Sequence, residues 1–388
     1  MKRKIEPFAL WLFAGALVLR LGFLVVWKSK NLVDVFPNDP YPVIALSWLG
    51  WVPDRPPAIT WPPLYPAFLA VLFWIFRGWR ELGTPVVQSV LSAASPVLLW
   101  AWARRGAPEW TARLAAVWMA VDPPLIFFAP QYQTETVFIC LLLGFFLALS
   151  RALDADSRRL AFWAGLAGAV TSLCRGVLLG FTPWLALSLA LMRKRRLVVF
   201  LALGWAVPIS LWTVRNYHYY GELVAVSSQA GWNMYEGFTL DLEALKTRPY
   251  EMSEELKARG ITDPFEINRY FTKKIKLWMR EHPREAAKIV IVKAFRFWRP
   301  WPFAPYSGRV RALVGTYYTI LLGLAAAGVW LKRRERRLLP VYFYFAYLTV
   351  MHSFFFTSLR YRLPIEPFLC FLAAVALTEL WRRRPLSS

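Results

Sequence analysis

The 388-residue chain has three cysteines and three histidines, and neither residue type is spaced for chemistry. Cys140, Cys174 and Cys370 lie in or beside apolar stretches with no paired spacing, which argues against a disulfide framework and leaves them as small packing residues. His218, His282 and His352 show no metal-ligand spacing, and neither HExxH nor GxSxG occurs. Acid is scarce as well, with 24 Asp and Glu against 47 Lys and Arg and a net charge of +23. In a soluble chain that imbalance would point to nucleic acid, but no RNP, zinc-finger or helix-turn-helix pattern accompanies it. Internal repeats, low-complexity tracts and two similar halves of the inverted-repeat transporter type are also missing.

What the chain has is hydrocarbon. It is 57% hydrophobic with 21 tryptophans, where a soluble domain is about 45–50% apolar. The apolar residues come in blocks long enough to cross a bilayer, at 8–27, 84–103, 110–129, 134–150, 160–174, 177–192, 197–213, 309–331, 338–355 and 364–381. The first block contains Arg20 and lacks a small-x-small cleavage site, so it reads as an anchor rather than a signal peptide. The fold expected is an all-α polytopic membrane protein with about ten transmembrane helices.

Between the blocks sit short basic knots: the opening MKRK, Arg104-Arg105, RALDADSRR at 151–159, RKRR at 193–196, KRRERR at 332–337 and RRR at 382–384. The positive-inside rule places all of them in the cytoplasm, with both termini, provided that PLYPAFLAVLFWIF (63–76) does not cross. At 14 residues against the roughly 20 a span needs, that run is expected to lie on the outer surface. The outer features are then a loop at 28–83, a turn at 130–133, a large loop at 214–308 and the turn carrying RYR. These divide the chain into a membrane module (1–213), an outer segment (214–308) and C-terminal helices (309–388). Within the outer segment, Asp263-Pro264 reads as a helix cap, and 284–303 as an amphipathic helix in the interface.

The residues that could carry chemistry face outward in this topology. Asp39, with Asp34 and Asp54 as neighbours, lies in the first loop, and Glu135 opens a span. Arg175, Arg215, Arg360 and Arg362 stand at span ends. Arg175 joins two short spans of about 22 Å each, so it should sit below the interface and need a partner. Several guanidiniums at that depth suit a lipid-borne phosphate, which Arg engages with a planar fork. The DAD at 154–156 falls inside and reads as solvated loop; Asp241 and Glu243 are weaker outward cation candidates. A transporter would instead place acids mid-span, and the expectation is that it has none there. A non-catalytic scaffold would not need the outward acids and arginines to converge.

Taken in order, the first-loop acid, RPPAITWPPLYPAFLA, TET, AGLAGAVTSLCRG, VRNYHYYGELVAVSSQAGWNMYEG and RYRLPIEPFL resemble the polyprenyl-phosphate-sugar-dependent glycosyltransferases of the GT-C fold. The nearest branches are the protein O-mannosyltransferase and lipid A aminoarabinose transferase types. Pro62-Pro63 stand where the latter carries a lysine, and Tyr41 and Ala45 come early after Asp39, so Asp39 and Asp34 both stay open as the key first-loop acid. The resemblance implies a GT-C bundle with outer juxtamembrane helices, Asp39 and Glu135 as catalytic acids, and Arg360 and Arg362 as the late basic motif. With them, Arg175, Arg215 and Tyr361 would engage the lipid phosphate, and Arg55, Asn216 and Asn233 would line the sugar or acceptor. The expected partners are a polyprenyl-phosphate-linked sugar, an acceptor protein, glycolipid or polysaccharide, and the bilayer of the plasma or inner membrane. No cofactor is required by the sequence; a divalent cation is compatible with it. A sugar on a lipid phosphate already has a good leaving group, so the demands are cations for the departing phosphate and a carboxylate base for the acceptor hydroxyl.

Overall fold

The computed structural model of the chain describes residues 6–29, 40–53, 58–240, 249–302, 308–355 and 357–382. Among them are eighteen α-helices and no strand. In order they are α1 (Pro7–Ser29), α2 (Pro40–Trp48), α3 (Leu64–Phe76), α4 (Arg80–Ala103), α5 (Glu109–Ala120), α6 (Pro123–Phe128), α7 (Glu135–Asp154), α8 (Arg158–Cys174) and α9 (Thr182–Leu191). The second half holds α10 (Arg195–Tyr220), α11 (Ala230–Leu240), α12 (Pro249–Ala258), α13 (Pro264–Glu281), α14 (Pro283–Phe297), α15 (Gly308–Lys332), α16 (Leu339–Phe354), α17 (Leu359–Arg362) and α18 (Glu366–Arg382).

Each of the ten expected spans falls on a helix, but only six helical stretches among the described residues are long and apolar enough to cross a membrane. These are Pro7–Ser29, Leu64–Ala103, Glu135–Asp154, Arg195–Tyr220, Gly308–Lys332 and Leu359–Arg382. The others are shorter or broken. The stretch 110–129 splits into α5 and α6 because Asp122 caps the second piece, its Oδ1 accepting from Leu125 N at 3.1 Å with Pro123 at the first helical position. The 63–76 run forms α3 and then turns sharply into α4: Arg77 has φ +28°, and a Cβ on Gly83 would come 2.4 Å from the Phe76 ring.

Small residues set the closest helix packing. A Cβ on Gly165 would lie 2.0 Å from Leu201 O, and one on Gly204 2.0 Å from Phe162 O, so α8 and α10 touch backbone to backbone. Gly328 does the same for α15 against Leu372 O of α18. The segment 214–308 has a small core, in which Tyr235, Phe238, Met252, Phe271 and Ile275 are buried together. The cap at Asp263 forms as expected, its Oδ1 accepting from Phe265 N and Glu266 N at 3.0 and 2.9 Å. The amphipathic helix expected at 284–303 forms as α14, which stops at Phe297, packs on α16 with Ala286, Ile289 and Phe297 buried, and leaves Ile291 and Phe295 exposed. Trp298 donates to Thr349 Oγ1 at 3.1 Å.

The basic knots at Arg104-Arg105, 151–159, 193–196 and 332–337 meet at one end of the bundle; MKRK and Arg383-Arg384 lie outside the described residues. Arg104 pairs with Glu6 at 2.6 Å, Arg105 with Asp154 at 2.6 Å, Arg337 with Asp154 at 3.6 Å, and Lys194 with Asp156 at 2.7 Å. The DAD segment is thus not simply solvated; it supplies the counter-ions that tie these knots together.

Candidate functional site

The opposite end of the bundle carries a charge cluster built from three distant segments. Glu135 is the first residue of α7, where the positive end of the helix dipole favours an acid. Its side chain is 1% exposed. Arg360, 225 residues away on α17, places Nε 2.5 Å from Oε1 and Nη2 3.4 Å from Oε2. Arg175, where the chain leaves α8 in extended conformation, places Nη1 3.3 Å from Oε1. The arginine side chains are 13% (Arg175) and 18% (Arg360) exposed, so the cluster is largely buried but keeps some contact with the surface.

The backbone around Glu135 is held from below. Tyr65 Oη donates to Gln88 Oε1 at 2.7 Å, and Gln88 Nε2 donates to Gln131 O at 2.6 Å and Ala129 O at 3.4 Å. That fixes the turn leading into α7. Thr136 Oγ1 adds a bond to Phe128 O at 3.1 Å. Beside the carboxylate is a cavity of about 10 Å³, touched by Ser92, Ser95 and Thr136. It has room for roughly one water. Tyr361 packs against the cluster's outer edge: the Arg175 guanidinium stands 5.1 Å over its ring, and the ring stacks on His352, which stacks on Phe297.

Two guanidiniums from distant segments meet on one carboxylate, which holds them side by side as a preorganised cationic pair of the kind that suits an anionic group. Among the described residues, no group of three His, Cys, Asp or Glu converges as a metal site.

The other expected site residues lie elsewhere or outside the described residues. Asp39, Asp34, Asp54, Arg55, Asp241 and Glu243 are outside them. Arg362 diverges from Arg360: it is fully buried, and its Nη1 donates to Arg299 O at 2.7 Å and Phe297 O at 3.3 Å at the end of α14. Arg215 stands 4.8 Å over Trp212 and 4.7 Å over Tyr219 on its own helix. Asn216 is buried and donates to Val224 O at 2.8 Å, holding the chain reversal after α10, and Asn233 is exposed on α11.

A second polar group was not expected, because the spans were read as free of mid-span acids. That reading is corrected: Asp122 and Glu366 are both fully buried inside the bundle. Tyr317 donates to Asp122 and Tyr318 to Glu366. Nearby, Arg20 donates to Ser92 Oγ at 2.7 Å and Ala120 O at 2.9 Å. Arg20 carried the signal, since an arginine inside an apolar span implies polar partners at its depth.

Comparison with known proteins adds the following. Residues 60–214, less than half of the chain, match the family described as dolichyl-phosphate-mannose-protein mannosyltransferase. The matched segment includes Glu135 and Arg175 and begins after Asp39. No curated protein matches the chain at a significant level. Among solved structures, the archaeal oligosaccharyltransferase AglB from Archaeoglobus fulgidus, in complex with an inhibitory peptide and a dolichol-phosphate, superposes with a TM-score of 0.57 at 14% identity. That match covers 97% of this chain and 51% of the other. The apo form of the Archaeoglobus fulgidus oligosaccharyltransferase gives a TM-score of 0.58 at 14% identity, again over 97% and 51%. The chain thus spans about half the length of these proteins, and at that identity the likeness is one of fold. This is an integral membrane protein with a GT-C fold, and its residues 60–214 carry the sequence pattern of the dolichyl-phosphate-mannose-protein mannosyltransferase family.

Proposed function

We propose that the chain is a membrane glycosyltransferase that moves a sugar from a polyprenyl-phosphate donor to an acceptor hydroxyl at the extracytoplasmic face. The observation that carries this reading is the convergence of Arg175 and Arg360 on Glu135, at the end of the bundle away from the basic knots. By the positive-inside rule the knots belong in the cytoplasm, which puts the cluster outside. Glu135 acts as the fixed carboxylate that aims both guanidiniums, and the two arginines receive the donor phosphate. The match of residues 60–214 to the mannosyltransferase family supports a lipid-phosphate sugar as donor.

In the reaction the acceptor oxygen attacks the anomeric carbon while the bond from that carbon to the phosphate oxygen breaks. The bonding pair leaves with the phosphate, which gains a negative charge as it departs. Arg175 and Arg360 stabilise that developing charge, which is where electrostatic help lowers the barrier most. The acceptor proton passes to a first-loop carboxylate, assigned to Asp39 with Asp34 as the alternative. Direct displacement inverts the anomeric centre, as when a glycosidase carboxylate activates a water on the opposite face.

A lipid or lipid-linked sugar transporter is the second reading, favoured by the buried Asp122 and Glu366. Their tyrosine partners and full burial support internal struts over a water-lined path. Purified protein with defined polyprenyl-phosphate sugars, product mass as readout and chelator controls, separates the two. Transfer that is lost in Arg360→Ala and in Asp39→Asn supports the enzyme. Translocation of the labelled lipid between leaflets without transfer overturns it.

A further inference from the structure

α17 is four residues long and follows the extended Ser358, so it cannot position Arg360 by its own stability. Something outside it must. Two residues on, Arg362 points the other way and is fully buried. Its Nη1 is bonded to Phe297 O and Arg299 O, the negative end of the α14 dipole. Its guanidinium lies 4.1 Å over the Tyr318 ring of α15, and the Tyr318 hydroxyl donates to Glu366 at the start of α18. A buried guanidinium is costly unless polar or π partners meet it, and here the Phe297 and Arg299 carbonyls and the Tyr318 ring do so. Tyr318 thus stands between Arg362 and Glu366, its ring under the guanidinium and its hydroxyl on the carboxyl.

We propose that Tyr318 and Glu366 are positioning residues for the transfer reaction: by anchoring Arg362 they fix the short helix that aims Arg360 at the phosphate. The inference rests on the proposed role of Arg360. Glu366 and Tyr318 do not reach the reacting atoms; they act through Arg362 and the two peptide units between it and Arg360. Their effect belongs to the step in which phosphate charge develops, because a guanidinium displaced by about 1 Å can cost as much as a hundredfold in rate.

The test is a double-mutant cycle with the polyprenyl-phosphate sugar as donor. Tyr318→Phe, which removes one hydroxyl and keeps the ring under Arg362, is expected to lower kcat about tenfold and leave the acceptor KM within about twofold. Glu366→Gln, which keeps the shape and weakens the acceptor that holds the Tyr318 hydroxyl, is expected to lose up to about a hundredfold. In an Arg360→Lys background, already slow because lysine cannot form the fork, Tyr318→Phe should cost nothing further. Losses that simply add, or a Tyr318→Phe enzyme with wild-type kcat, would overturn the proposal while leaving the role of Arg360 standing. If Arg360→Lys transfers at the wild-type rate, the proposed function of the cluster fails and this inference with it. Melting temperature in detergent is measured alongside, and if Glu366→Gln does not fold, Tyr318→Phe alone decides.

Discussion

Replacing Glu135 with glutamine should make the protein less stable and, at the same time, a better binder of a phosphate lipid. The substitution keeps volume and removes one charge from a carboxylate that is 1% exposed. At an effective dielectric of about 20, each contact between unit charges roughly 4 Å apart is worth about 4 kcal/mol before desolvation. Breaking a buried pair from one side costs about 3–5 kcal/mol net, because the other charge stays buried. Here two guanidiniums are left facing each other. With an unfolding entropy of about 2 cal/mol/K per residue, a chain of this length should lose about 4–6 °C in Tm. Polyprenyl phosphate should then replace the missing carboxylate. The variant is expected to bind it about tenfold more tightly, or about 1.4 kcal/mol, and saturating lipid should recover much of the lost Tm. The assay is thermal unfolding of the purified protein in detergent, with and without polyprenyl phosphate, and with a neutral polyprenol as control. The reasoning is refuted if the variant melts with the wild type, or if the phosphate lipid protects it no more than it protects the wild type.

Gly204→Ala should cost about 1–3 kcal/mol, since its Cβ would stand 2.0 Å from Phe162 O and force α8 away from α10; detergent melting reads this directly. Gln88→Leu leaves the turn before α7 without its side-chain donor, and transfer should fall several-fold while the fold, checked by melting, loses about 1–3 kcal/mol. Glu236, on α11, has its carboxyl raised above the ordinary 4.5 by burial, opposed by a hydrogen bond from Trp232. The folded state therefore holds its proton more tightly than the unfolded one, and stability falls as pH rises from 4.5 through the folded value. Glu236→Gln should remove that fall, so the Tm difference between variant and wild type should grow in the variant's favour between pH 4 and pH 8. A constant difference would contradict it.

Much of the site was readable in residues that break their surroundings. Arg175, between two short spans, had to find a partner below the interface, and Glu135 is that partner. RYR between two apolar stretches announced an anion, but not that its arginines part: side chains two apart on one helical turn point to different sides. Arg360 therefore meets Glu135 while Arg362 closes α14. Asp122, an acid followed by two prolines inside an apolar run, looks like a turn in the sequence, and its tyrosine partner lies 195 residues away.

The one-dimensional pattern settled the class, the helices and the grouping of the basic knots, since these follow from local hydropathy and from charge that cannot enter hydrocarbon. The tertiary structure settled which charges meet. Glu135, Arg175 and Arg360 come from three segments whose separation in the chain says nothing of distance in space. Only the close approach of helices at glycines such as Gly165 and Gly204, and the struts beneath α17, decide that two guanidiniums share one carboxylate.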